Sequence, residues 1–203
     1  MRLIGMLDSP YVRRTALTLA ALDIAFVHES LSVFRHYKEF AAINPVVKAP
    51  TAVNDDGVVL LDSTLIIDYA LKVLSNGKTL GPTEPKLAAL DIRLTGLGLA
   101  ACEKAVQTVY ERQLRPAEKQ HAPWLDRVAG QLKAALSAVE ADIAGADWLL
   151  GPPLSEAGIT LAVAGTFITE MVPDVVTLSD YPRLAALTTA AEATALFRAW
   201  PYQ

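Results

Sequence analysis

Apolar and polar positions follow two different rhythms along this chain, and the change falls between residues 75 and 85. Before it, short apolar runs are separated by turn residues. Residues 2–7 read as a short buried strand, interrupted by Asp8-Ser9-Pro10. Serine at an N-cap with proline in the first helical position starts a helix. Val12, Ala16, Leu19 and Leu22 carry that helix to about Asp23. Residues 24–28 read as a second strand, and parallel pairing with the first makes a right-handed βαβ unit. Residues 34–43 form a short, less regular helix. Thr51-Ala52-Val53 and Val58-Val59-Leu60-Leu61 form a hairpin turning at Asp56-Gly57. Asp62-Ser63 then caps a helix over residues 64–74. Residues 1–75 thus spell βαβα-ββα, an α/β domain.

Turn residues at Ser75-Asn76-Gly77 and Gly81-Pro82-Thr83-Glu84-Pro85 make residues 76–85 a linker. Everything from 86 to 203 reads as helical. Leu87, Leu90, Leu94 and Leu97 open one long helix that continues through Val106 to Tyr110. Gly96 and Gly98 inside it each cost about 1 kcal/mol relative to alanine, which close approach of a second helix, across a dimer interface for instance, would explain. A second helix carries Leu125, Val128, Leu132, Leu136, Val139 and Ile143, with Pro123 at its start and Gly145 past its end. Residues 155–171 are apolar on all sides, the mark of a central helix. Tyr181-Pro182-Arg183-Leu184 opens the last helices, which end near Trp200.

Composition narrows the function. With 203 residues, 52% hydrophobic and 20% charged, the chain can build a large core and is not disordered. A net charge of −4 argues against a partner bound through nucleic-acid phosphates. The first fifty residues reverse the balance, with six Lys/Arg against four acids, which suits a small anion. Charges at Arg2, Asp8, Arg13 and Arg14 break up any leader, and no apolar run approaches a membrane span, so a cytoplasmic setting is expected. The single cysteine, Cys102, lies in a helical pattern as a buried small hydrophobe. His28, His36 and His121 have no ligand spacing, and no metal is expected.

Chemistry concentrates at three places: Ser9 after the first strand, Lys48-Ala49-Pro50 before the third, and Asp62-Ser63 after the fourth. An X-Pro bond is the peptide bond that goes cis at modest cost. A cis Pro50 would turn the backbone of Ala49 outward as an edge for a peptide-like ligand. Helix starts at Ser9 and Ser63 favour anions. Asp62 can take an ammonium group and Lys48 a carboxylate. A ligand with an amino-acid head, a peptide middle and a second carboxylate matches this order.

Ser9-Pro10-Tyr11-Val12-Arg13-Arg14, Asn44-Pro45-Val46-Val47-Lys48-Ala49-Pro50, Leu61-Asp62-Ser63 and Tyr181-Pro182-Arg183-Leu184 together resemble the cytosolic glutathione S-transferases, in the style of small bacterial members with an active-site serine. The resemblance runs over the whole length. It implies a thioredoxin-like first domain (1–75), a linker (76–85) and a helical bundle (86–203) contributing the electrophile site. It implies glutathione as co-substrate, no permanently bound cofactor, a hydrophobic electrophile, a homodimer and a role in detoxification. Ser9 would donate to the glutathione sulfur and favour the thiolate. Ala49 would pair by its backbone with the cysteinyl unit beside Pro50. Asp62 and Ser63 would hold the γ-glutamyl head, and Lys48 would lie near the glycyl end, with Arg35 and His36 as further candidates there. Leu7, Tyr11, Tyr110, Gln113 and Leu114 are candidates to line the electrophile site. A glutathione-dependent isomerase or peroxidase, or a non-catalytic interaction protein of the same fold, are the alternatives.

One departure from the family stands out. Its members commonly open the central helix of the second domain with a Ser/Thr-x-x-Asp capping box, where this chain has Ser155-Glu156-Ala157-Gly158. Ser155 can cap, but no acid follows at the third position. The helix start is expected to be weaker by a fraction of a kcal/mol up to about 2 kcal/mol.

Overall fold

The computed structural model describes residues 1–203 and divides them into two compact units: Met1–Leu80 with Thr194–Gln203, and Gly81–Ala193. The sequence placed residues 194–203 in the helical half; they group with the first unit instead.

The first unit is built on a four-stranded sheet of β1 (Arg2–Ile4), β2 (Val27–Glu29), β3 (Thr51–Val53) and β4 (Val59–Leu61), in the order β2-β1-β3-β4. β1 pairs parallel with β2, Leu3 opposite His28, and antiparallel with β3, Leu3 opposite Ala52. β3 and β4 form the expected hairpin, Ala52 opposite Leu60. The strands are shorter than their apolar runs. Residues 5–7 leave the sheet to reach the first helix, and residues 24–26 approach β2 as irregular chain. Helix α1 (Pro10–Ala21) crosses between β1 and β2, and α2 (Tyr37–Ile43) follows β2. Residues 33–36 are a turn in place of the helix expected from residue 34. After β4, α3 (Ser63–Tyr69) passes into a π-helical turn over Ala70–Leu74, a widening that periodicity does not reveal. Leu3, Leu7, Val12, Ala16, Leu19, Leu22 and Ala70 make the core beneath the sheet.

Residues 194–203 close this unit. Helix α8 (Ala195–Ala199) puts the Phe197 ring 5.5 Å from the guanidinium carbon of Arg13, whose Nε donates to the Trp200 carbonyl at 2.8 Å. Trp200 in turn stacks on Phe26, ring centroids 4.8 Å apart, and lies edge-on to His28.

The second unit is helical: α4 (Pro85–Leu114), α5 (Ala122–Asp142), α6 (Glu156–Met171) and α7 (Pro182–Glu192). The expectation of a central α6 holds. Every residue from Ala157 to Gly165 is buried, and α6 packs on both α4 and α7. At Gly98 a Cβ would stand 3.0 Å from Thr160 Cγ2, so its close neighbour is α6 of the same unit. Gly96 meets nothing within 4 Å in its own chain. No helix of the chain is long and apolar enough to cross a membrane.

The start of α6 repairs the departure seen in the sequence. Ser155 Oγ accepts from the Gly158 N–H at 2.7 Å and donates to the Leu149 carbonyl at 3.1 Å. Asp91, on α4, brings its Oδ1 to the Ala157 N–H at 3.1 Å. The carboxylate a capping box takes from its own helix arrives here from a neighbour, and it bonds a different orphan donor. Burial pushes the Asp91 carboxyl up, opposed by the Ala157 and Ser155 hydrogen bonds. A carboxyl whose folded pKa lies above its unfolded value contributes stability that is full at low pH and fades as pH rises through the folded value. Asp91→Ala should therefore lower stability by about 1–3 kcal/mol through the unpaired N–H. Asp91→Asn, which keeps the acceptor and removes the charge, should be near neutral at pH 7. It should also flatten the stability–pH curve above the ordinary aspartate pKa, as thermal melts of both variants across pH 4–8 will show.

Candidate functional site

The three predicted clusters all belong to the first unit, and each is positioned by its local backbone. Ser9 is the N-cap of α1. Its Oγ accepts from the Val12 N–H at a long 3.5 Å, which uses a lone pair and leaves the hydroxyl proton for another acceptor. Pro10 at the next position fits the first turn because no N–H is required there. The preceding Gly5 has φ +138°, and a Cβ on it would stand 2.5 Å from Val12 Cγ2, so the β1–α1 loop lies tightly against the helix start. Asp8 beside Ser9 is half-buried; burial pushes its carboxyl up, against the Ser9 N–H and the charge of Arg35.

The second cluster is held by Asn44, which is 2% exposed. Its Nδ2 donates to Thr51 Oγ1 at 2.8 Å and its Oδ1 accepts from the Val46 N–H at 3.0 Å. Thr51 Oγ1 donates onward to the Lys48 carbonyl at 2.7 Å. One buried amide thus ties both ends of the 44–51 connection. Within it Val47 has φ +52°, a genuine outlier for a β-branched residue, and the Ala49–Pro50 bond is cis, the alternative the sequence raised for Pro50. Strand β3 starts immediately after Pro50.

Asp62 supplies the third. It too sits at positive φ (+73°), and its Oδ1 accepts from the Thr64 N–H at 3.0 Å. Strained non-glycine residues cluster at ligand-holding positions, and here Val47 and Asp62 flank the Lys48–Asp62 pair. Asp62 Oδ2 lies 4.0 Å from Lys48 Nζ, with both side chains about half exposed, a pair worth about 0–1 kcal/mol and easily exchanged for a ligand's own charges. Ser63 is buried, and its Oγ accepts from Arg14 Nη1 at 2.9 Å.

Other candidates are less well placed. Arg35 is exposed with Nη2 3.2 Å from Met6 Sδ, and His36 Nδ1 accepts from the Ser32 N–H at 3.2 Å. Leu7 is 2% exposed and packs in the core with Leu3 and Val12, so it offers no open surface to an electrophile. Tyr11, partly buried on α1, belongs to the first unit; Tyr110, Gln113 and Leu114, exposed on the last turns of α4, belong to the second. His28 Nε2 donates to the Gly5 carbonyl at 2.8 Å, a purely local bond. A separate cavity of about 320 Å³ in the first unit, lined by Asp23, Asn54, Asp55, Asp56 and Tyr69 among others, contains none of the candidate residues.

Sequence reasoning missed Arg14 and the role of Asn44. The basic excess of the first fifty residues is not a free positive patch: Arg13 and Arg14 are each 1% exposed, and Arg2 is bonded to Glu29. The signal for Arg14 was present. It shares a helix face with Pro10, Leu17 and Thr18, all buried.

Residues 3–78 match the N-terminal domain of the glutathione S-transferases and residues 122–190 match their C-terminal domain. An uncharacterized GST-like protein of Escherichia coli K12, YibF, is 27% identical over 141 residues, covering 69% of this chain and 68% of its own. Among solved structures, a glutathione S-transferase of Methylobacterium radiotolerans in complex with glutathione sulfonate has 25% identity and a TM-score of 0.89, covering 100% of this chain and 95% of its own. A glutathione transferase family member of Pseudomonas fluorescens Pf-5 with bound glutathione has 28% identity and a TM-score of 0.85, covering 100% and 98%. Carrying both domains over a fold shared along its whole length, the chain belongs to the glutathione S-transferase family and is a glutathione transferase.

Proposed function

We propose that this enzyme binds glutathione at Ser9, Lys48, Ala49, Pro50, Asp62 and Ser63, and that Ser9 activates the thiol for attack on a hydrophobic electrophile. The observation that carries the reading is the Ser9 hydroxyl at the start of α1, with a lone pair given to Val12 and its proton left for a sulfur anion. A thiolate there gains a hydrogen bond and the positive end of a twelve-residue helix. The rest of the ligand matches in charge. Its ammonium group pairs with Asp62, its γ-glutamyl carboxylate takes the Ser63 hydroxyl, and its glycyl carboxylate faces Lys48. The cysteinyl backbone lies along Ala49 beside Pro50. Tyr11, partly buried on α1, supplies amphipathic surface for the electrophile.

Calorimetric titration of the wild type and of Asp62→Ala/Ser63→Ala with glutathione tests the site. Saturable binding, weakened at least about tenfold by the double change, is the expected result, since hydrogen bonds to charged groups contribute about 1.5–3 kcal/mol. No binding at millimolar glutathione would sink the reading. Turnover of a model aryl halide against a hydroperoxide then separates conjugation from peroxide reduction.

A further inference from the structure

We infer that His28 is a positioning residue for the Ser9 hydroxyl, acting through Gly5 and itself held by Trp200; the inference rests on the thiol-activating role proposed above for Ser9. Gly5 is buried just past β1, and both its backbone groups are taken from the β2 side. Its N–H donates to the Glu29 carbonyl at 3.0 Å, and its carbonyl accepts from His28 Nε2 at 2.8 Å. A carbonyl brings no proton, so Nε2 must carry one, and protonation at Nδ1 leaves that donor in place. The bond reaches no ligand and is local in that sense, but Gly5 is where the parts of the site meet. A Cβ on it would stand 2.5 Å from Val12 Cγ2 and 3.1 Å from Ala49 Cβ. Its backbone therefore lies between the helix that Ser9 caps and the residue before Pro50. From Gly5 a single turn leads to Ser9, closed by the Ser9 N–H on the Met6 carbonyl at 3.2 Å.

The two sides of Gly5 are not held alike. On the Ala49 side, the bonds among Asn44, Thr51 and Lys48 fix the connection without using Gly5. On the Ser9 side, the turn has Leu7 as its one buried residue, with Met6, Asp8 and Ser9 partly exposed. Releasing the Gly5 carbonyl would let this turn shift against Ala49. Ser9 Oγ would then move relative to a sulfur whose cysteinyl backbone stays on Ala49. A hydrogen bond weakens steeply once its angle falls toward about 120°, so a small shift removes much of what Ser9 supplies. The loss falls on the thiolate rather than on binding. The His28 ring has its own support from the far end of the chain. The Trp200 indole lies edge-on to it, centroids 6.0 Å apart, and stacks on Phe26 two residues earlier. Because the Trp200 carbonyl also accepts from Arg13 on α1, residues 194–203 join β2 to the helix that begins at Ser9.

The test titrates the thiol of bound glutathione by its thiolate absorbance in the wild type, Ser9→Ala, His28→Leu, His28→Gln and Ser9→Ala/His28→Leu. Asp8 and Arg35, the charged groups beside Ser9, are unchanged throughout, so their fields cancel from the comparison. His28→Leu should raise the thiol pKa by about 0.5–1 unit and slow conjugation at pH 6 by about 3- to 10-fold. Calorimetric Kd for glutathione should stay within about threefold. His28→Gln, which keeps an N–H donor, should recover most of the shift. In the Ser9→Ala background, His28→Leu should move the thiol no further, a dependence that a merely structural role does not produce. A His28→Leu protein that melts lower but keeps the wild-type thiol pKa overturns the inference, as does an equal shift with and without Ser9. Should His28→Leu not fold, Trp200→Ala, which keeps both partners of the bond, must raise the thiol pKa; an unmoved value overturns the inference equally. Ser9→Ala with an unmoved thiol overturns the underlying role of Ser9. A thiol raised by Ser9→Ala but not by His28→Leu overturns this inference alone.

Discussion

Ser9→Ala should slow conjugation of a model aryl halide by up to about 30-fold at pH 7, the ratio between a fully ionised thiol and one that is about 3% ionised. Glutathione binding should survive, because the head-group and glycyl contacts proposed for Asp62, Ser63 and Lys48 lie elsewhere. The sign of the pH effect follows from the same bond. A free thiol has a pKa of about 8.5 and is roughly 3% ionised at pH 7. A hydroxyl that donates to the sulfur stabilises the anion and lowers that value, so removing it returns the thiol toward 8.5. The rate of the alanine variant should accordingly climb about tenfold per pH unit from pH 6 until it levels near the free-thiol value, while the wild type levels earlier. Thiolate absorbance in the binary complex follows the same titration without any electrophile. A variant with unchanged rate and unchanged profile would remove Ser9 from the mechanism.

Gly158→Asp should destabilise the protein by about 3 kcal/mol or more, although it restores the Ser-x-x-Asp pattern that the family commonly carries. A Cβ at this position would stand 2.0 Å from the Leu149 carbonyl oxygen and 2.9 Å from its carbon, both backbone atoms that cannot rotate away. The turn over Asp147–Leu150 therefore presses directly on the start of α6, and only glycine allows it. With that position closed to any side chain, the acid comes from Asp91 across the helix pair. A loss of that size corresponds to a fall in melting temperature on the order of 10 °C for a chain of this length. Melts of the wild type, Gly158→Ala and Gly158→Asp decide the matter. The clash predicts that alanine already suffers most of the loss, and a stabilised Gly158→Asp would refute it.

Legibility in the sequence tracked the range of the interaction that fixes each feature. Helices α5 to α7 were readable because their start signals are local: Pro123, Ser155 and Pro182 each sit within a residue or two of the start they mark. The β3–β4 hairpin was readable from Asn54 to Gly57 for the same reason, since Asn54 Oδ1 accepts the Asp56 and Val58 N–H groups within the turn. The caps at Ser9 and Asp62 were readable because each side chain bonds an N–H two or three residues on. The unreadable part is non-local. Nothing near Asp91 in sequence announces a bond to Ala157, 66 residues away, nor does Arg14 announce Ser63, 49 residues away. Positive φ at Val47 and Asp62 contradicts their propensities and is imposed by the surrounding bonds of Asn44, Thr51 and Thr64. The boundary at the end of the chain was misplaced because α8 reads as one more helix, while Phe197 and Trp200 find Arg13 and Phe26.

That last arrangement sets an order on biosynthesis. Domains generally fold as they emerge from the ribosome, the N-terminal one first. Here the sheet and its helices can collapse early, but the Trp200 carbonyl that Arg13 bonds and the indole that stacks on Phe26 arrive only once the whole helical unit has been translated and residues 194–203 have cleared the exit tunnel. The unit that begins to fold first is the last to be finished, and a nascent chain stalled after residue 193 would expose an unclosed aromatic seam to chaperones and proteases.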